Sequence, residues 1–281
     1  MKKEYKNIST GEERALYGIS DAEVVNCRFE GPEDGESALK ETHNISVSGC
    51  FFDLRYSVWH SKDTVITNSE MTEKCRAALW YDENIVVKDS ILHGIKVFRD
   101  CNNVVIENCD IVSDEFVWHC NNVVIKNARI ESVYPFLMSR NVHLINCEIK
   151  AKYIFQYTEN CVLENCTVET KDAFWNSKNV KIKDSSISSE YIAWYSSFAE
   201  FDNCSITGTQ PFCYCDSLVL KNCEMHGCDF SFEKSSVDAD IRGRIDSIRG
   251  PVKGTIKADE IGEVLPSSSG DDKIEAEIIL K

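Results

Sequence analysis

The chain repeats itself at a nearly constant interval. A polar residue followed by a small one recurs at Asn26, Gly49, Asn68, Asp89, Asn108, Asn127, Asn146, Asn165, Asp184, Asn203 and Asn222, spaced by 23, 19 and 21 residues and then by 19 seven times. A period near twenty residues specifies a solenoid, because one such unit cannot bury a hydrophobic face and must stack on its neighbours. The residue two before each of these anchors is apolar, from Val24 and Val47 to Phe201 and Leu220, as is the residue three after, from Phe29 and Phe52 to Ile206 and Met225. The position directly before the anchor is charged in most later repeats, as in Lys88, Glu107, Lys126 and Glu164. This alternation at period two is that of a β-strand. Small residues after the anchor, such as Cys27, Ser69, Cys109 and Ala128, predict a tight corner.

Two further columns complete the coil. Five before the anchor stands Asn or Asp in nine of eleven repeats, from Asp21 to Asn179, which predicts amides stacked along the axis that satisfy inward-facing turn backbone. Ten before stands a third apolar column that includes Leu16, Leu79, Phe98, Phe136 and Phe212. Each repeat has room for two or three short strands and none for a helix. The expected fold is all-β: a single-stranded right-handed parallel β-helix of about eleven coils, each rising about 4.8 Å. The reading takes residues 1–281 as a single domain, with 1–15 as an N-terminal cap, 16–225 as regular coils, 226–265 as an irregular final coil or cap, and 266–281 as a loop and last strand.

Charge and cysteine content narrow the partners. Lys and Arg total 31 against 46 Asp and Glu, so the net charge of −15 repels nucleic acid and anionic membrane surfaces, and neither is expected as a partner. No run of 18 apolar residues occurs, and the start "MKKEYKNISTGEE" carries no apolar segment, which leads to the expectation of a soluble, cytoplasmic protein. The 14 cysteines are then reduced thiols, seven of them packed as small residues in the column after the anchor. No CxxC pair suggests zinc, and no metal or cofactor is expected.

Function is sought where regularity does not dictate the residue. Nine before the anchor lie Tyr17, Lys40, Trp59, Trp80, Arg99, Trp118, Trp175 and Trp194, a column holding all five tryptophans. Eight before lie Glu41, His60, Tyr81, Asp100, His119, Met138, Tyr157, Asn176, Tyr195 and Tyr214. A bend turning both columns outward would line the surface with aromatic platforms suited to sugar rings, with charged groups beside them. The other reading is that these rings pack on one another, on a covering segment or on a second copy of the chain. Charge gathers in the first half of this face. The two irregular intervals insert "EGPEDGESA" and "TEKCRAA" on the same arc, bringing Glu33, Asp34, Glu36, Lys74 and Arg76 to the rim.

Asp100 stands one coil from Tyr81 and one from His119, so it can orient His119 while Arg99 holds an acidic group, a base-and-clamp arrangement for proton abstraction beside a sugar carboxylate. The alternative is an ordinary surface charge ladder. The candidate catalytic residues are His60, Tyr81, Asp100 and His119. The candidate substrate-binding residues are Glu36, Lys40, Glu41, Trp59, Arg76, Trp80, Arg99 and Trp118. No acidic knot for calcium, no nucleophile triad and no phosphate-cradling glycine loop is present.

The segments "GEERALYG" (11–18), "GESALKE" (35–41), "SVWHSKD" (57–63), "RAALWYDENI" (76–85), "DAFWNSKNV" (172–180) and "DSIRGPVKGTIKADEIGE" (246–263) resemble a bacterial family of β-helix proteins known only as a domain of unknown function, within the pectin-lyase-like superfamily. The resemblance spans nearly the whole chain. It implies the β-helix, a cytoplasmic bacterial setting and a carbohydrate ligand, and it sets Glu13, Arg14, Glu36, Lys40 and Glu41 beside the outward columns. It implies no particular reaction, and the acidic calcium cluster of pectate lyases is absent from this sequence. Two functions remain open: a carbohydrate-binding β-helix, with or without lyase- or epimerase-like proton transfer, and a non-catalytic scaffold whose aromatic face meets another protein or its own copy.

Overall fold

The computed structural model describes residues 2–31, 36–270 and 274–281. The strand pairings are parallel, no α-helix occurs among the described residues, and these residues make about fourteen turns of a β-solenoid. The chain forms two compact units, 1–142 and 143–281.

In the first unit, strand Asn102–Glu107 lies on Asn121–Lys126 with Asn102 opposite Asn121, Val104 opposite Val123 and Ile106 opposite Ile125. Val104 and Ile106 point into the core while Val105 and Glu107 face outward, as period two requires. The strand ends at an anchor in left-handed conformation, φ 54° at Asn108 and 51° at Asn127, which asparagine tolerates better than other non-glycine residues. The next residue is small for a second reason. Ser69 and Ser90 donate through Oγ to the carbonyls of Thr67 and Lys88 at 2.8 and 2.7 Å, and the Cys109 thiol does the same to Glu107 at 3.3 Å. The corner selects a compact X–H donor, so serine and cysteine interchange there. All fourteen cysteines are free and buried.

The amide ladder five before the anchor exists, but it faces solvent. Asn84 donates to Asp63 at 2.7 Å, Asn103 to Asn84 at 2.8 Å and Asn122 to Asn103 at 2.9 Å. These asparagines also have φ of 57–58°, a geometry that swings the side chain away from the core, so the amides bond one another rather than inward backbone. Phenylalanines fill the interior instead: Phe98, Phe116 and Phe136 meet at 6.1 and 5.6 Å between ring centroids.

The second unit repeats this plan, with Phe155, Phe174, Phe201, Phe212 and Phe232 in ring contact down the core.

The count of about eleven coils is corrected to about fourteen turns, with strand pairing that continues at both ends. Lys3–Lys6 pairs with Ser20–Val25, Lys3 opposite Ala22, and Asn7 has φ 55° nineteen residues before Asn26. Residues 3–10 therefore form a coil of their own, hidden in the sequence because its apolar columns hold Tyr5 and Thr10. In the second unit, Ser236–Arg249 lies on Lys253–Leu265 with Ser236 opposite Lys253, and Glu277–Leu280 adds to the latter. Winding continues there with fewer residues per turn, because the corner residue is dropped: Leu220 lies opposite Ala239 and Cys223 opposite Ile241, so Lys221 and Asn222 face Asp240 alone. Gly254 has φ 103°, and a Cβ there would lie 2.0 Å from the Val237 carbonyl oxygen.

Candidate functional site

The bend that turns two adjacent columns outward is built from left-handed residues. Glu41, His60, Tyr81, Asp100 and His119 have φ between 53° and 60°. Each such residue donates its N–H along the axis: Glu41 to the Trp59 carbonyl at 3.0 Å, His60 to Trp80 at 2.8 Å, Tyr81 to Arg99 and Asp100 to Trp118 at 2.9 Å. Those bonds offset the roughly 1–2 kcal/mol that a non-glycine residue loses in this conformation. The side chains at these positions are exposed, and those of the preceding column are half-buried.

Within residues 1–142, cations cover the tryptophans. Lys40 Nζ lies 4.3 Å from the Trp59 ring, whose plane also stacks on Tyr56 at 4.7 Å. Arg99 sits over both Trp80 at 5.0 Å and Trp118 at 5.8 Å. The indole N–H groups of Trp80 and Trp118 donate to the carbonyls of Lys96 at 2.7 Å and Tyr134 at 2.5 Å. Stacks of this kind stabilise an edge, and a sugar would have to displace the cation to reach the ring.

The charged residues form two carboxylate–imidazole pairs on this edge. Glu41 Oε1 is 2.9 Å from His60 Nδ1, and Asp100 Oδ1 is 3.4 Å from His119 Nδ1, with Arg99 Nε 3.4 Å from the other Asp100 oxygen. Tyr81 packs edge-on to His60 at 6.3 Å. A carboxylate at Nδ1 fixes the tautomer that leaves Nε2 as the acceptor, the state a general base needs. Arg14 pairs with Glu13 at 3.4 Å and lies over Tyr17.

Arg76 lines a separate groove of about 470 Å³ together with Asp53, Leu54, Arg55, Lys74 and Ile95 among others. Glu36 pairs with Arg55, and Lys74 with Asp53 at 2.7 Å. Hydrogen bonds from Lys74 and Thr72 hold the Asp53 carboxyl below the usual range. Arg76 is exposed and engages no carboxylate among the described residues. Glu33 and Asp34, expected at this rim, lie outside the described residues.

Beneath Tyr81 is a group that sequence reasoning missed. The position after each left-handed bend residue is small and buried: Thr42, Ser61, Cys101, Cys120 and Ser139. Asp82 takes this place in one coil, accepting the Ser61 N–H at 2.7 Å through Oδ1, while Oδ2 is buried with no hydrogen-bond partner among the described residues. Burial, and secondarily the neighbouring Cys101 thiol, push the carboxyl well above its ordinary range. The raised carboxyl favours the neutral acid in the folded chain, which spares the unpaired Oδ2 a buried charge. The unfolded chain releases that proton near pH 3.9 and the folded chain only at higher pH, so this stabilisation is full below about 3.9 and is lost as pH rises toward the folded value. Asp82→Asn is expected to flatten that decline and to raise the melting temperature most at alkaline pH. Melting curves of the two proteins that stay parallel across pH would refute the neutral acid.

In residues 143–281 the same two columns carry no cations. Trp175 stacks on Trp194 at 5.7 Å, Tyr195 on Tyr214 at 4.7 Å with an interplanar angle of 6°, and Trp194 meets Tyr214 edge-on at 5.6 Å. Tyr195 is 50% exposed, and Tyr157 is exposed as well. The sequence showed these residues in the columns, but attention to charge drew the reading toward the first half. Two neighbouring grooves, of about 590 and 230 Å³, lie on the adjacent sheet face of this unit.

Comparison with solved structures supports the fold. The surface adhesin PfbA of Streptococcus pneumoniae is similar over 83% of this chain and 86% of its own, with a TM-score of 0.59 and 9% identity. A capsular polysaccharide depolymerase, the tailspike protein gp49 of the Acinetobacter baumannii bacteriophage Fri1, aligns over 78% of this chain and 55% of its own at 13% identity, with a TM-score of 0.44. No curated protein matches the sequence. Residues 3–279 match the family described as "Protein of unknown function (DUF3737)", and the chain belongs to that family of parallel β-helix proteins.

Proposed function

We propose that this β-helix binds carbohydrate on the outward aromatic edge of residues 143–281. The observation that carries the reading is the cluster of Trp175, Trp194, Tyr195 and Tyr214, capped by no cation among the described residues, whose rings pack on one another while Tyr195 stays half exposed. An exposed ring held rigidly by stacked neighbours takes the apolar face of a sugar ring at little entropic cost. The tryptophans of the first unit serve less well, because Lys40 and Arg99 already occupy their faces. Fourteen buried thiols fit a reducing compartment, consistent with work inside the cell.

Tryptophan fluorescence titrated with a panel of neutral and uronate oligosaccharides is expected to saturate, and Tyr195→Ala to weaken binding about tenfold, the loss of one stacking contact. Fluorescence that ignores every sugar and instead tracks protein concentration would assign the edge to self-association.

A second reading rests on the Glu41–His60 contact at 2.9 Å. With Nδ1 engaged, His60 Nε2 would take the proton beside a uronate carboxylate, Tyr81 and the Asp100–His119 pair would stand along the same edge, and Lys40 or Arg99 would hold the acid. Release of unsaturated uronate, read by ultraviolet absorbance and lost in His60→Ala, would support it. No product from any uronate polymer would sink it.

A further inference from the structure

The exposed amide ladder of the second unit stops abruptly. Asn160 and Asn179 continue it, with φ of 59° and 55° and the Asn179 amide donating to Asn160 Oδ1 at 2.9 Å. The next two coils put Phe198 and Ser217 in the same place, with φ of 56° and 58°. Phe198 is 52% exposed. A phenyl side chain at a left-handed, solvent-facing corner has neither the local amide bonds that favour asparagine there nor burial to compensate, so folding does not account for it. It also leaves Asn179 Oδ1 without the amide donor that Asn160 Oδ1 receives.

The interruption adjoins the groove of about 590 Å³, whose lining includes Val162, Asn179, Lys181, Phe198, Glu200 and Val219. That volume is in the range of small-ligand sites. Lys181 is an exposed donor among its lining residues. Glu200 bonds Lys221, whose hydrogen bond holds the carboxyl below its usual range and keeps it an ionised acceptor. The groove thus sets an aromatic ring and two valines against an amide oxygen, an ammonium and a carboxylate. A pyranose has the same division: C–H groups on one face and hydroxyls, each both donor and acceptor, around the rim. One cation and one anion line the groove, which favours an uncharged sugar over a uronate.

We propose that this groove is a second carbohydrate site, taking a neutral hexopyranose unit with its apolar face on Phe198 and its hydroxyls on Asn179, Lys181 and Glu200. It stands on other residues than the aromatic edge, so either reading can fail alone.

The test is an amide proton–nitrogen correlation spectrum of the full chain, titrated to millimolar concentration with maltotriose, cellobiose or diacetylchitobiose, and with trigalacturonate as the charged comparison. Saturable shifts at Lys181, Phe198 and Glu200 with a neutral probe are expected. Phe198→Asn should weaken that binding about tenfold, while its melting temperature holds or rises because the introduced amide extends the ladder. Tyr195→Ala should leave these shifts in place. The proposal is overturned if no neutral probe moves these amides, if trigalacturonate alone does, or if Phe198→Asn binds as tightly as the parent. Shifts confined to Trp194, Tyr195 and Tyr214 would support the edge and overturn the groove. Should Phe198→Asn fail to fold, Lys181→Ala decides: undiminished affinity in that variant overturns the site.

Discussion

Phe201→Ala is expected to lower the free energy of unfolding by about 3–5 kcal/mol, the cost of removing a large buried ring that leaves a cavity. Phe201 is fully buried, with ring centroids 6.5 Å from Phe174 and 5.0 Å from Phe212. The void cannot close easily. Strand Ser197–Asp202 is held in register on both sides, Phe201 opposite Ile182 on one and Leu220 on the other, so the coils cannot move together to fill it. Phe198→Ala, in the same strand but facing solvent, is expected to change stability by no more than about 0.5 kcal/mol. Urea unfolding of the two variants checks both. Equal losses would mean that Phe198 packs as a core residue, against its exposure.

Asn108→Val is expected to cost about 2–4 kcal/mol, summed from two sources. The first is the left-handed corner, φ 54°, where a β-branched residue loses roughly 1–2 kcal/mol or more. The second is the ladder: Asn108 donates to Asp89 at 2.9 Å and accepts from Asn127 at 3.1 Å, each bond contributing about 0.5 kcal/mol, the low end of the range, on an exposed surface. Asn108→Gly separates the two, since glycine keeps the corner and loses only the bonds. Its expected loss is about 1 kcal/mol. A glycine variant as damaged as the valine variant would show that the amide ladder, not the backbone angle, holds the corner.

The coil was legible in the sequence because strand alternation and the corner residues impose independent patterns that agree. Apolar residues at two before and three after the anchor can satisfy period two only if a turn lies between them, and Asn or Gly followed by Cys or Ser is what a left-handed corner with a compact donor requires. The terminal coils were illegible for the same reason. Tyr5 and Thr10 break the apolar columns around Asn7, and the asparagine corner is dropped after Asn222, which shifts the register. The bend at Glu41, His60, Tyr81, Asp100 and His119 was foreseeable from polar residues next to a tryptophan column, but nothing in their spacing said which rings would be covered.

That distinction depends on neighbours one coil away. Lys40 and Arg99 are nineteen residues from the rings of Trp59, Trp80 and Trp118 that they cap, and their reach over those rings follows from side-chain rotamers in a stacked array. The same holds for Asp82. Its column position could be read from the chain, whereas the upward push on its carboxyl follows from being sealed between coils with one oxygen unpaired among the described residues. Period and patterning were sufficient for the β-helix, because backbone pairing repeats identically at each coil. Which rings a cation caps was settled by contacts between coils, because Lys40 and Arg99 reach across the rings of the adjacent coil in the first unit, whereas Trp175, Trp194, Tyr195 and Tyr214 pack on one another and leave Tyr195 half exposed.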